Sequence, residues 1–502
     1  MLNAALMRAM RQRGMNAYQE GLLLSGRGQH ALAIERFEQA LARSPNDVRV
    51  LFALGNTARA LGLSRPAEAF FRRVLDAEPD RLEALVNLAN LLRAQGQFQA
   101  AQHLLAPALA RHPQHAELWL TLGSVHRETG EREAASAHYH QALALRPDYA
   151  AALGNLADLL ADDGDTDAAL ALYDRVLRQE KDNAQARMNR AVLHLLRGNL
   201  KEGWRDYAAR LKIPGKAPVA EHGLPRWDAS PLKQRRLLVT AEQGVGDQIM
   251  FASMIGELGR VILECEPRLV SLFARSFPDA VVRPWDAETK GGVATTRYGW
   301  LKGIGGANCA IEMGSLPRYL RPALDRFPKP HAYLVPDADE VSRWRKVFSG
   351  PAIGICWRSG KTGGHRALQY APLSAWAAFL RDWPGTVVCV QYDATAEEIA
   401  ELERLSGRAI AMPQGIDQKN ELDRACAMLS ALDAVVSAPT AVSWLSAAAG
   451  IPTYKILYDT SWTSFGERHE PLAPACTCVM PKTRGDWPSC FAQTLTMLPS
   501  RG

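Results

Sequence analysis

The residues best placed to do chemistry sit first in a glycine turn, AEQGVGDQIMFAS (residues 241–253), which follows the apolar run LLVT and leads into an apolar-periodic segment. It gathers Glu242, Gln243, Gly244, Gly246, Asp247 and Gln248 at a strand-to-helix junction. Asp247 has two readings there. It can cap the helix, a task for which Asp is among the best residues, or it can act on something held against the turn. A second concentration is WRSGKTGGHR (residues 357–366), where Arg358, Lys361, His365 and Arg366 share one glycine-rich loop after a strand-like run. Arg pairs bidentately with carboxylate or phosphate and Lys adds a mobile point charge; a solvated basic loop is the bland alternative. Thr440 and Ser443 open a helix after a strand ending at Ser437, and a helix N-terminus offers unpaired N–H groups to phosphate or carboxylate. Gln391 and Tyr392 end another strand, a place for nucleoside contacts or, for the tyrosine, for aromatic packing.

Two sets of elements must position these residues. Over the first 213 residues prolines fall at Pro45, Pro79, Pro113 and Pro147, 34 residues apart, with Lys181 in the fifth place. In step with them run Gly28, Gly62, Gly96, Gly130 and Gly164, then Ala33, Ala67, Ala101, Ala135 and Ala169, then the large residues Phe37, Phe71, Leu105, Tyr139 and Tyr173. Small residues recur at Gly21, Gly55, Ala89, Gly123 and Ala157. Such a period marks a stacked helix–turn–helix array: glycine makes the turn, small residues admit close helix approach, the large residue fills the gap and proline ends the unit. The pattern resembles tetratricopeptide repeats. A degraded sixth unit, GNLKEGWRDYAAR (residues 198–210), closes the array. An array of this kind presents a concave face to a protein partner. Candidate contacts are Asn87, Asn155 and Asn189 in one register and Asn56 and Asn90 in another. The alternative is that these asparagines cap or bridge neighbouring helices.

From residue 214 onward short apolar runs alternate with helix-length segments, the signature of strands with crossover helices. One set runs through RLLVT, VILEC and AVVRP, and a second through AIGICW, TVVCV, DAVVS and PTYKIL. Residues 286–307 are glycine-rich and read as a loop, and 321–350, with four prolines, as a connector. Two doubly wound domains, 214–335 and 336–502, would meet at a cleft lined by the carboxyl ends of both sheets. The chain carries 59 Lys and Arg against 53 Asp and Glu, a mild +6 that makes no case for nucleic acid. No run of 18 apolar residues predicts a membrane span, and residues 1–14 are amphipathic without the apolar core of a signal peptide. The eight cysteines form no CxxC, and the one close pair, Cys476 and Cys478, has no second ligand pair; a reducing cytoplasm fits them.

With these residues in place, the chain resembles the repeat-coupled bacterial glycosyltransferases of GT-B fold, and among them the soluble flagellin glycosyltransferases that transfer nonulosonic acids. The resemblance rests on the repeats, EGWRDYAAR (202–210), PRWD (225–228), EQGVGD (242–247), IGICWRSG (353–360) and SAPTAVSWLSAAAGIP (437–452). It implies an N-terminal α-solenoid followed by two Rossmann-like domains, the first on the acceptor side and the second holding the nucleotide sugar. It also implies work without a metal or resident cofactor; DDGD (162–165) belongs to a repeat turn. The turn at 244–247 looks like that of the lipopolysaccharide heptosyltransferases, which would make Asp247 the base for a Ser or Thr hydroxyl of flagellin. Arg358, Lys361, His365, Arg366, Gln391, Tyr392, Thr440 and Ser443 would hold the donor. In repeat-bearing protein O-glycosyltransferases a row of asparagines holds the substrate backbone; here Ala53 and Thr121 interrupt it. Pro439 and Trp444 stand where the heptosyltransferase pattern has Asp and His, which fits a CMP-linked donor better than a diphosphate sugar. Two other expectations stand beside this one: a non-catalytic repeat adaptor with a degenerate nucleotide-sensing remnant, and a transferase using UDP-linked N-acetylglucosamine.

Overall fold

Each proline-ended unit folds as a helix pair. The computed structural model describes residues 16–215, 218–290, 293–348, 350–360 and 369–499. Residues 1–14, with their predicted amphipathic character, lie outside the described residues. The chain divides into two compact units, Met1–Asn183 and Ala184–Gly502.

The first unit is helical: α1 (Ala17–Gly26), α2 (His30–Arg43), α3 (Val48–Ala60), α4 (Ser64–Ala77), α5 (Leu82–Ala94), α6 (Phe98–Arg111), α7 (Ala116–Thr129), α8 (Arg132–Leu145), α9 (Ala150–Asp162) and α10 (Thr166–Gln179). The turn glycines have φ between 72 and 86°, left-handed values that side chains with a Cβ disfavour. The small positions are sites of helix contact. A Cβ on Gly21, Gly55 or Gly123 would lie 2.5, 2.6 or 2.8 Å from the ring of Phe37, Phe71 or Tyr139. Gly55→Ala is therefore expected to destabilise this unit by about 1–3 kcal/mol, read as a lower midpoint in a circular-dichroism melt. Gly154→Ala in α9, where a Cβ meets open space, is the control and should be neutral or slightly stabilising.

The second unit opens with α11 (Ala184–Leu196) and α12 (Leu200–Tyr207), whose sequence continues the repeats. The two compact units divide at residue 183, inside the predicted array of residues 1–213, so its last helices belong to the second unit. The reason is apolar burial: Ala191, Leu195, Leu200, Trp204 and Tyr207 sink into one core with Leu237, Val239 and Phe251. The Trp204 indole also donates to the Arg321 carbonyl at 3.0 Å.

Three sheets follow among the described residues. A four-stranded parallel sheet has the order β4 (Val281–Pro284), β3 (Val261–Cys265), β2 (Leu237–Thr240), β7 (Cys309–Glu312). A seven-stranded sheet runs β10 (Ile410–Ala411), β9 (Thr386–Cys389), β8 (Ala352–Cys356), β11 (Ala434–Ser437), β12 (Thr453–Ile456), β14 (Ala473–Val479), β13 (His469–Glu470), with only β13 antiparallel. β2, β3, β8, β11 and β12 are buried at every residue, as strands covered on both faces must be. The longer helices around these sheets are α13 (Val245–Ala252), α14 (Val270–Ser276), α15 (Ala338–Val347), α16 (Leu373–Asp382), α17 (Ala396–Ser406), α18 (Leu422–Leu429), α19 (Ala441–Ala448) and α20 (Trp487–Met497). The third sheet corrects the loop expected at 286–307. β5 (Ala287–Lys290) and β6 (Val293–Arg297) pair as a hairpin, with β1 (Val219–Glu221) parallel to β6, and a 3-10 turn spans Gly299–Ile304.

The two predicted α/β domains share one core, in which Val239 and Ile249 join Val388, Val435 and Leu445. Polar contacts reinforce it: Arg275 of α14 reaches Asp423 of α18 at 3.0 Å, and the Tyr333 hydroxyl donates to the Ile249 carbonyl at 3.0 Å.

Candidate functional site

β2 ends at Thr240, and the chain passes through Ala241–Gln243 into α13, capped by Gly244 without a side-chain hydrogen bond. Asp247 is therefore the third residue of the helix and not its cap. Its carboxyl turns back toward the Gly244 N–H, whose hydrogen bond favours the charged form. Burial acts more strongly in the other direction, aided by the charge of Glu242, and pushes the carboxyl up to about 6 against the pull of Gly244 and Arg210. A carboxylate so placed is a stronger base than an exposed aspartate and is still mostly ionised at neutral pH.

The rest of the turn is held residue by residue. Glu242 accepts from Arg210 Nε at 3.1 Å and Nη2 at 2.5 Å, and from the Gly314 N–H at 2.9 Å. Gln243 donates to the Tyr207 hydroxyl at 2.9 Å. Gln248 donates to the Gln243 carbonyl at 2.7 Å and accepts from the Glu266 N–H at 2.8 Å. Gly246 faces α19, where a Cβ would lie 3.4 Å from the Trp444 ring and 3.5 Å from Ala441 Cα. The predicted acceptor-side residues thus form one fixed turn, and Arg210, Tyr207 and Gly314 are the partners that sequence reasoning did not single out.

Glu264 was also missed, though a glutamate inside the apolar VILEC is a visible anomaly. Its carboxyl accepts from the Ala241 N–H at 3.1 Å and the Tyr298 hydroxyl at 2.9 Å, and burial pushes it up to about 7. Because the native state binds this proton more tightly than the unfolded chain, stability falls as pH rises from about 4.5 to about 7 and is level above. Glu264→Gln should remove that slope, a difference of up to about 3 kcal/mol, measured as urea midpoints of both proteins across pH 4–8.

On the seven-stranded sheet the predicted donor residues divide. Arg358 donates to Glu398 at 2.5 and 2.7 Å and to the side chain and carbonyl of Asp393 at 3.0 Å. Its fork is occupied within the fold by Glu398 and Asp393. Gln391 is likewise consumed: Oε1 accepts from the Trp357 and Arg358 N–H groups at 3.1 Å, and Nε2 donates to Asp393 at 2.6 Å. Ser443 is fully buried and donates to the Thr440 carbonyl at 2.8 Å, so it too is structural. Thr440 stands at the N-terminus of α19 with its hydroxyl 3.2 Å from Ser437 Oγ and 3.5 Å from Cys356 Sγ. The Tyr392 hydroxyl accepts from the Gly360 N–H at 2.8 Å. Lys361, His365 and Arg366 lie outside the described residues.

Tyr392 also lines a cavity of about 340 Å³ at the carboxyl ends of β2, β3, β9 and β11. Its walls are Val245 and Ile249 of α13, Leu422 and Met428 of α18, and Val442 and Leu445 of α19, with Arg268 and Lys419 also on the lining. Asp247 is two residues from Val245, about 200° around the helix, so its side chain leaves on the side of Arg210 and Tyr207.

In the first unit the asparagines bridge helices, the alternative named from the sequence. Asn87 Nδ2 donates to Asn56 Oδ1 at 2.9 Å and Asn155 Nδ2 to Ser124 Oγ at 3.1 Å, while Asn90 is half-buried in α5. In the second unit Asn189 accepts from Gln185 at 2.7 Å.

Profiles described as tetratricopeptide repeat match residues 24–92, 65–122 and 92–138, and again 120–179 and 155–218. The N-terminal region is a tetratricopeptide repeat solenoid. Among curated proteins, Protein FlbA of Caulobacter vibrioides is 32% identical over 323 residues, covering 62% of this chain and 54% of the relative. The chain thus spans about half the length of the curated relative it matches. That 62% exceeds the stretch up to residue 218, so the similarity extends into the α/β region. Among solved structures, a thermophilic tetratricopeptide repeat protein of Thermus thermophilus is 30% identical, over 36% of this chain and 97% of that one, with a TM-score of 0.33. PilF of Pseudomonas aeruginosa is 20% identical, over 39% of this chain and 88% of its own, with a TM-score of 0.33.

Proposed function

We propose that this protein is a glycosyltransferase of GT-B type that binds flagellin through its repeats and transfers a nonulosonic acid from a CMP-linked donor to Ser or Thr side chains. The observation that carries the reading is Asp247, a desolvated carboxyl at the first turn of the helix that follows a buried parallel strand. In the transfer, Asp247 takes the proton of the acceptor hydroxyl while its oxygen bonds to the anomeric carbon. The bond from that carbon to the phosphate oxygen breaks, and CMP leaves with the electron pair. The neighbouring cavity, apolar with Tyr392 and two cationic residues on its lining, has the composition of a nucleoside pocket. The reacting atoms would then meet beside the first turn of α13, which carries Asp247 and, on its other side, the cavity residue Val245. All eight cysteines are free and buried, consistent with work in a reducing cytoplasm. Among the described residues no helix is long and apolar enough to cross a membrane.

The internal use of Arg358, Gln391 and Ser443 favours a second reading, a repeat adaptor whose α/β unit no longer transfers. Co-expression with flagellin and a nonulosonic-acid pathway, followed by intact mass measurement, separates them. The expected result is a mass gain equal to one or more nonulosonic acids. A HexNAc increment would replace the donor with UDP-linked N-acetylglucosamine, and unmodified flagellin that co-purifies would establish the adaptor.

A further inference from the structure

Behind the Asp247 turn lies a closed polar cluster that the proposed reaction does not use directly. Arg210 comes from the 3-10 turn Ala208–Lys212 that follows α12, at the end of the last repeat-like helix. Its guanidinium grips both oxygens of Glu242, donates to Ser315 Oγ at 2.9 Å and to the Tyr207 carbonyl at 3.2 Å, and lies over the Tyr207 ring at 4.7 Å. The Arg210 and Glu242 side chains are 5% and 4% exposed. The cluster closes against bare backbone: a Cβ on Gly314 would sit 2.7 Å from Glu242 Oε1, 2.9 Å from Gln243 Oε1 and 3.1 Å from Arg210 Nη2. Next to Arg210, the Tyr207 hydroxyl holds Gln243. Two consecutive residues of the turn, Glu242 and Gln243, are therefore fixed by one short helical segment, and Asp247 follows them by five and four positions.

We propose that Arg210 is a positioning residue for transfer at Asp247: by clamping Glu242 it fixes the turn that aims the Asp247 carboxyl, and its charge offsets that of Glu242 beside it. This rests on the reading of Asp247 as the base. The geometry favours a directional role over simple adhesion. A buried ion pair is weak evidence of stability in itself, whereas a planar fork fixes both oxygens of its partner at once. A reacting group held by such a support keeps its orientation, and an error of about 1 Å can lower a rate ~10²-fold. The groups that bear on the Asp247 charge are Glu242 from its own turn and Arg210 and Tyr207 from the helical segment opposite.

The test uses the full chain and two readouts. The first is titration of the Asp247 carboxyl by carbon-13 NMR, assigned by its loss in Asp247→Asn, which needs no ligand. The midpoint should rise by about 1 pH unit in Arg210→Met and fall by a similar amount in Glu242→Gln. It should return close to wild type in the double variant Arg210→Met/Glu242→Gln, which also guards against misfolding by removing both buried charges. The second readout is the rate of mass gain on purified flagellin with CMP-pseudaminic acid. Arg210→Lys keeps the charge and loses the fork, so it should leave the midpoint in place and slow transfer ~10- to 100-fold. Unchanged midpoints across the set, or wild-type transfer by Arg210→Lys, would overturn the proposal. Wild-type transfer by Asp247→Asn would instead overturn the base itself, whatever the Arg210 variants do.

Discussion

Asp247→Asn is expected to lower sugar transfer to flagellin by ~10²–10⁴-fold while flagellin still co-purifies with the protein. The substitution isolates proton transfer because it changes little else. Asn keeps an oxygen that can accept from the Gly244 N–H, the contact that Asp247 makes at the start of α13. The helix is capped by Gly244 in any case, so its end loses no side-chain cap. What disappears is a group able to take a proton. The same argument sets the pH dependence. Burial, with Glu242, raises the carboxyl to about 6, so a base working in its ionised form loses activity as pH falls through about 6. In wild type the rate should be level above that value and drop about tenfold for each pH unit below it. Rates measured from pH 5 to 8 by intact mass check both points. Near-wild-type transfer by the Asn variant would leave Asp247 as a helix-end residue only.

The repeat array was the most legible part of the sequence because its physics is periodic. The turn glycines with positive φ and the contacts of Gly21, Gly55 and Gly123 with aromatic rings reproduce, residue by residue, the reasons for the spacing. The buried strands were legible for a related reason: LLVT, VILEC and DAVVS are short, mostly apolar runs, and they form β2, β3 and β11 almost to the residue. The hairpin of β5 and β6 was hidden by composition. A threonine-rich, glycine-bearing stretch reads as a loop as readily as strand, and the pairing places Lys290 opposite Val293. At the candidate site the strand-to-helix turn at 241–248 was legible, and the partners of its polar side chains were not. Sequence marks Arg358 and Gln391 as anion- and nucleoside-binding types, but it carries no sign that Glu398 and Asp393 lie within reach to occupy them. The same blindness hid Arg210, which stands 32 residues from Glu242 in the chain. Long-range polar pairing leaves no periodic trace.

The largest effect on stability is expected from Lys455→Met. Lys455 lies on β12, 2% exposed, with Nζ 2.5 Å from Glu470 Oε1 and 4.1 Å from the centre of the Trp444 ring. Burial, the largest single influence, acts to lower its pKa, but the charge and hydrogen bond of Glu470 together with Cys476 and Cys478 raise it by more, and the ammonium is held above its ordinary range. Glu470 is fully buried, and its Oε1 also accepts from Thr463 at 2.9 Å. Removing the cation alone strands a carboxylate in the core, a change that costs roughly 3–5 kcal/mol. Lys455→Met/Glu470→Gln removes both charges and keeps side chains of similar size, so most of that loss should be recovered. The contrast between the single and double variants is the informative quantity, since it separates the stranded charge from any change in packing. Tryptophan emission during urea unfolding is a suitable probe, because among the 12 tryptophans only Trp119 precedes residue 184. A single variant as stable as wild type would mean that the core accommodates Glu470 without Lys455 at small cost. A double variant no more stable than the single would assign the loss to the Lys455 stem packed against Trp444 and not to its charge.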